Sequence, residues 1–377
     1  MIYLDHNATT QPAPEVVAAM SDCQNRIWGN PSSLHALGQK ARALRDAACR
    51  ALAALLNAPP ANILFTSGAT EAANQILLAP LLKPGARPRH LVVSAIEHPC
   101  VLQPAALLEA HGWAVTRVGV RPDGTVDPQA VADALRPDTA LVSVMLANND
   151  TGVLQPVREI AARARARGVP VHTDAVQAVG RIPVDFEALG VDFLTLSAHK
   201  FHGPKGVGAL VFRDAKTLSP LLLGGSQERN LRAGTENVTG ICGLAAAADL
   251  ARRRMAETAA HTAALRDGLQ AGILNAFHCA RVNGADAPRL PNTLNVTFPG
   301  TDAITAVMNL DMAGVAVATT SACSTANRQP PYVLTAMGLS PDDALASLRF
   351  SLGPANTEVE IDRVVTLLTD HLSCHHD

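Results

Sequence analysis

No apolar run in this 377-residue chain reaches the roughly 18 residues that span a bilayer, so no membrane-crossing helix is expected. The N-terminus, MIYLDHNATT, lacks a basic segment followed by an apolar core and does not read as a signal peptide. An excess of one charge is also missing. Lys and Arg number 31 against 33 Asp and Glu, a net −2, which offers no electrostatic footprint for nucleic acid or an anionic membrane. There is no C-x-x-C pair to suggest a structural zinc site. The seven cysteines are odd in number and widely spread, which argues against a disulfide framework. Repeats and low-complexity segments are absent. The tail HLSCHHD, with His371, Cys374, His375 and His376, reads as a terminus rather than a metal site. What remains is an ordinary soluble composition, 48% apolar with Gly 26 and Pro 25, expected in the cytoplasm and long enough for a large domain and a smaller one.

From about residue 60 to 215, short β-like runs alternate with alanine-rich amphipathic segments. The runs are ILFTSG, HLVVSAI, AVTRVGV, ALVSVMLANN, VPVHTDA, DFLTLSAHK and GALVFR; EAANQILLAPLL and VREIAARARARG lie between them. Strands apolar on both faces and separated by helices specify an α/β protein with a mainly parallel sheet. A long helical pattern begins near GLAAAADLARRRM, and the expected domain boundary falls there, near residue 255. This gives a large domain over 15–255 and a small C-terminal domain over 256–377, with residues 1–14 packing against the latter.

Ligands of open α/β sheets bind at the C-terminal ends of the strands. Here those ends carry Gly68-Ala69-Thr70, Glu97-His98, Asn148-Asn149, Asp174 and Ser197-Ala198-His199-Lys200. Lys200 follows directly on an apolar strand, and burial lowers an amine's pKa, which suits imine formation. Its bland alternative is a lysine snorkelling to solvent. Asp174 ends another strand; a buried carboxylate needs a partner, and a pyridinium nitrogen is one. Gln177 stands where it can bond a phenolic oxygen of the same ring. Helix capping is the alternative for Asp174, and equally for Ser67 and Thr70. The turn at Gly68 opens a helix whose free N–H groups form a phosphate cradle.

The order of anion turn, Asp and Lys resembles the pyridoxal-phosphate-dependent cysteine desulfurases of the NifS/IscS type. The likeness runs nearly end to end through YLDHNATT, GNPSSLHALG, FTSGATEAAN, EHPCVL, SVMLANNDTGVLQP, HTDAVQAVG, SAHKFHGPKGVGAL, GGSQERNLRAGTEN, SACSTA and LRFSLG. It implies fold type I of the pyridoxal-phosphate transferases, with a seven-stranded sheet. It implies that Lys200 holds pyridoxal 5'-phosphate, that His98 stacks on its ring and exchanges protons, and that Asp174 and Gln177 meet the ring nitrogen and hydroxyl. Ala69, Thr70, Ser197 and His199 would bind the phosphate, joined by Thr235 from a second copy, hence a homodimer. Asn149 and Arg349 would hold the carboxylate of L-cysteine; for Arg349 the alternative is a solvent-facing strand residue.

The resemblance makes Cys323, in VATTSACSTANRQPPY, the nucleophile that takes the substrate's sulfur as a persulfide and passes it to an acceptor protein. The pathway served, iron–sulfur assembly, tRNA thiolation or DNA sulfur modification, is not specified by the sequence. A selenocysteine lyase, a cysteine sulfinate desulfinase and a catalytically silent scaffold paralogue are the competing readings. Against the family's usual S-x-G-S-A-C-T-S, Ala318 and Thr320 replace the first serine and the glycine, and Ser324 and Thr325 exchange places. Asp150 stands where Glu is commoner. Thr319, Thr320, Pro330 and Pro331 are expected to stiffen the Cys323 loop.

Overall fold

The computed structural model of the chain describes residues 1–82, 89–319 and 329–372. The expectations for Cys323, for the order of its loop and for Cys374, His375 and His376 lie outside the described residues.

Seven strands form the central sheet: β1 (Ile63–Thr66), β2 (His90–Ser94), β3 (Ala114–Val118), β4 (Thr139–Ser143), β5 (Val171–Asp174), β6 (Phe193–Ser197) and β7 (Gly208–Phe212), in the order β1-β7-β6-β5-β4-β2-β3. Only β7 runs against its neighbours; the pairs from β6 to β3 are all parallel. Successive residues of a strand point to opposite faces, and here both faces are apolar. Ile63 and Phe65 enter one core with Leu52 and Val142, while Leu64 enters another with Ile76 and Leu108. Burial on both sides is why the runs read as unbroken hydrophobic sequence.

A second, antiparallel sheet pairs Thr293–Thr297 with Ser347–Ser351, flanked by Arg281–Val282 and Ala318–Thr319. The 39-residue helix Val238–Ala276 serves both sheets and runs through residue 255. Its Leu244, Ala247 and Ala248 pack in the core of the large sheet; its Leu265, Leu269 and Ile273 pack with Leu294, Val296 and Phe350.

The N-terminal segment straps the two regions together. Ile2–Tyr3 pairs in parallel with Val315–Ala316, and Leu4 belongs to the second core. Beyond it, Thr10 N–H donates to the His199 carbonyl (2.9 Å) and Ala13 N–H to that of His202 (3.0 Å). Residues 5–9 are thereby laid over the C-terminal edge of the large sheet. Cys279 is disulfide-bonded, whereas the sequence argues against a disulfide framework. No helix among the described residues is long and apolar enough to cross a membrane.

Candidate active site

The parallel strands β1, β5 and β6 deliver their C-terminal ends to one edge, so Gly68, Asp174 and Ser197 meet there by topology. Gly68 turns β1 into the helix Ala69–Leu78, which has no side-chain cap. Simple capping by Ser67 or Thr70 is therefore not their arrangement. Ser67 N–H donates instead to Glu71 Oε2 (2.8 Å), and Ala69 N–H to Ser197 Oγ (2.9 Å). Thr70 stands exposed at the helix start. A Cβ on Gly208 of the neighbouring β7 would lie 2.7 Å from Gly68 Cα, so a bare backbone there lets the turn settle onto the sheet.

Asp174 is buried at the end of β5. Its Oδ1 accepts from Val176 N–H (2.9 Å), and Oδ2 faces Cys100 Sγ at 3.7 Å. Burial raises its pKa, against the stabilising pull of the Val176 N–H, of His98 and of Lys200. His98 starts the helix Pro99–Ala110, and its Nδ1 accepts from Cys100 N–H (3.1 Å), leaving the proton of the neutral ring on Nε2. Although His98 is open to solvent, the protein packed around it and the Lys200 ammonium lower its pKa; Asp174 opposes them. Solvent access moderates that shift.

Lys200 does not snorkel to water. Its Nζ donates to the carbonyls of Asn7 (2.6 Å) and Ala8 (2.8 Å) in the N-terminal strap. Burial first, then repulsion from Arg181 and Arg349, brings the amine down to about 8. Gln177 Nε2 donates to the same Asn7 carbonyl (3.0 Å), and its Oε1 accepts from Arg181. His199 Nδ1 lies 3.1 Å from Thr9 Oγ1, and burial with nearby cations lowers its pKa to about 4.

Arg349 is not a solvent-facing strand residue. It is buried, and its guanidinium is forked between Asp5 Oδ1 (2.8 Å) and Asp150 Oδ1 (3.3 Å), with the Asn149 carbonyl also at 3.3 Å. Burial outweighs the arginine and pushes Asp150 up to about 6. Asn149 Nδ2 donates to Asp150 (2.9 Å), while Asn149 Oδ1 is buried without a partner. Asn7 joins this group to the lysine side: its Nδ2 donates to the Asn149 carbonyl (3.0 Å). Thr235 stands apart, exposed in the segment that Arg232 ties to Glu71 (2.8 Å). A cavity of about 330 Å³ lies behind Lys200, lined by His6, Arg181, Leu250, Met255 and Leu352. Asp174 and His98 are not in its wall, so it is not where the reactive groups converge.

Lysine, buried acid and uncapped helix start define a family when matched against known proteins. The aminotransferase class-V model matches residues 2–364. The chain belongs to the class-V aminotransferase family. A cysteine desulfurase of Trichormus azollae is 42% identical over 371 residues, which are 98% of this chain and 92% of that protein. Among solved structures, a NifS-like protein superposes with a TM-score of 0.91 at 37% identity, covering 98% of each chain. SspA in complex with cysteine superposes at 0.83 with 33% identity, covering 95% of this chain and 100% of that one. This class-V member is accordingly a pyridoxal-phosphate-dependent enzyme of fold type I. The residues present fit that cofactor: an uncapped helix start for its phosphate, a buried carboxylate that no cation saturates, and an amine already below ordinary lysine basicity.

Sequence reasoning passed over Asn7, Arg181, Asp5 and Cys100. Arg181 stands four residues after Gln177, a spacing that places both on one side of a helical turn and offered the only hint.

Proposed function

We infer that this chain is a cysteine desulfurase that converts L-cysteine to L-alanine and carries the released sulfur as a persulfide on Cys323. The observation that carries the reading is the meeting of Lys200 and Asp174 at the strand-end edge beside an uncapped helix start, in a chain whose relatives are cysteine desulfurases.

Bound pyridoxal phosphate supplies an electron sink that acidifies the Cα–H of an attached amino acid. The first turn of the helix Ala69–Leu78, with Thr70, Ser197 and His199, holds the phosphate by N–H and side-chain donors. Asp174 would hold a proton on the ring nitrogen, and Gln177 would meet the ring oxygen. Lys200 would be the attachment point, and its amine would be placed to accept the substrate's Cα proton. His98 stacks over the site and carries a proton on Nε2 for the departing or arriving group. Arg349 and Asn149 orient the substrate carboxylate. The Arg349 fork, held by Asp5 and Asp150, would turn to the substrate carboxylate.

The sulfur step balances without an oxidant. The Cys323 thiolate takes the substrate sulfur, the Cβ–S bond pair stays on carbon, and a proton completes alanine. Cysteine and a protein thiol thus give alanine and a protein persulfide. An acceptor protein then removes the sulfur by thiol exchange. A second copy of the chain completes the phosphate site with its Thr235, making the enzyme a homodimer. The division into 15–255 and 256–377, placed within the helix Val238–Ala276, separates the cofactor-holding region from the region that presents Cys323.

The direct test incubates the purified protein with pyridoxal phosphate, L-cysteine and a reducing thiol. Alanine and sulfide in equal amounts are expected; alanine-free turnover to pyruvate would contradict the reading. A second expectation concerns pH. Only the neutral amine attaches the cofactor, so uptake by cofactor-free protein will rise with pH through a midpoint near 8, followed by absorbance. An ordinary lysine gives a midpoint of about 10.4.

A further inference from the structure

Among the described residues, Arg181 is a buried cation with no anion. Only 9% exposed, its guanidinium spends its N–H groups on neutral acceptors. Nη1 donates to Asn7 Oδ1 (2.8 Å), to the Gln177 carbonyl (3.3 Å) and to Gln177 Oε1; Nη2 donates to the carbonyls of His6 (3.0 Å) and Lys200 (3.3 Å). The strongest charge acting on it is the repulsion of Arg349, and no carboxylate offsets its burial. The chain is shaped to admit it. Gly180, at φ +80°, packs so tightly that a Cβ would sit 2.5 Å from Phe201 Cβ. An unpaired buried charge is costly, and better stability would come from an apolar side chain of similar volume. What the guanidinium does for its neighbours is more informative.

A side-chain amide can present either end to a ligand. With Oε1 occupied by the Arg181 fork, Gln177 can face the site only with its NH₂ group, one hydrogen of which already goes to the Asn7 carbonyl. With Oδ1 occupied by the same fork, Asn7 is likewise oriented, and its carbonyl lies under the Lys200 amine. One guanidinium thus sets three groups: Gln177, Asn7 and the Lys200 main chain. A lysine at 181 would supply a point charge without the planar fork that spans them.

We propose that Arg181 is a positioning residue that fixes Gln177 as a hydrogen-bond donor toward the cofactor's ring oxygen and seats the Asn7 carbonyl beneath Lys200. The proposal rests on the cofactor reading above. A donor held against an oxyanion stabilises its charged form, and a nearby fixed cation does the same. Arg181 also lowers the basicity of the lysine that carries the cofactor.

The test is a pH titration of the visible absorption of the pyridoxal-phosphate-loaded protein, which reports protonation at the lysine–cofactor linkage rather than turnover. Arg181→Met is expected to raise the midpoint by about one pH unit, and Gln177→Ala to raise it as well. The double variant is expected to move no further than the larger single, because Gln177 acts through the arginine's fork. Arg181→Lys keeps the charge and loses the fork, so its midpoint should fall between wild type and Arg181→Met; it also serves if Arg181→Met does not fold. A variant that loses thermal stability yet titrates as wild type, or single shifts that add in the double variant, would overturn the proposal. A wild-type protein that takes up no pyridoxal phosphate would instead defeat the cofactor reading itself.

Discussion

Lys200→Ala protein will release alanine from L-cysteine about a thousandfold more slowly than wild type, or slower still. Two roles vanish together, attachment of the cofactor and transfer of the Cα proton. No neighbour can assume the attachment. Arg181 and Arg349 present guanidinium groups instead of an amine, and His199 is held near Thr9 by the strap. Lys200→Arg is expected to be equally inactive, because charge is not what the position supplies. The fold should survive, since the amine contributes two hydrogen bonds to main-chain carbonyls at the edge of the sheet. Circular dichroism and thermal melting check that point; absorbance checks the loss of the lysine-linked colour. Activity within tenfold of wild type would mean that Lys200 is not the attachment point.

Replacing Cys323 with Ala is expected to lower alanine formation from L-cysteine by at least about a hundredfold while leaving pyridoxal phosphate bound. The reactive form of the nucleophile is a thiolate, and no free thiol among the described residues is placed to substitute. Cys23 and Cys100 are buried, and Cys100 is further discouraged from ionising by Asp174 and Glu97. Burial holds Cys49 and Cys242 near 11, and Cys279 is committed to a disulfide. The same variant separates neighbouring chemistries. A selenocysteine lyase or a sulfinate desulfinase would keep turnover of its own substrate after the substitution, because its leaving group departs without a protein nucleophile.

The sheet was legible because its inner strands are buried on both faces, which writes them as continuous apolar runs. Lys200, Asp174 and the Gly68 turn were legible for a related reason: each directly follows such a run, where polar residues need a use. The surroundings of these groups were not. Asn7 meets Lys200 only because a parallel pairing of Ile2–Tyr3 with Val315–Ala316 lays the strap across the sheet. Nothing local in YLDHNATT encodes that meeting. Arg349 was foreseen as a carboxylate ligand, yet its standing partners, Asp5 and Asp150, come from chain segments far from it in sequence. The long helix shows the same limit: its periodicity announces a helix but not that its two halves serve different cores. Contacts made across hundreds of residues leave no periodic trace.

Sulfur transfer turns on Cys323, and a single-turnover experiment addresses it directly. The loaded protein is given L-cysteine in a single turnover without added thiol, quenched, digested and analysed by mass spectrometry. One additional sulfur atom is expected on the peptide containing Cys323, in amount equal to the alanine formed. Alanine formed with the Cys323 peptide unmodified, and the sulfur free or on Cys374, would contradict it.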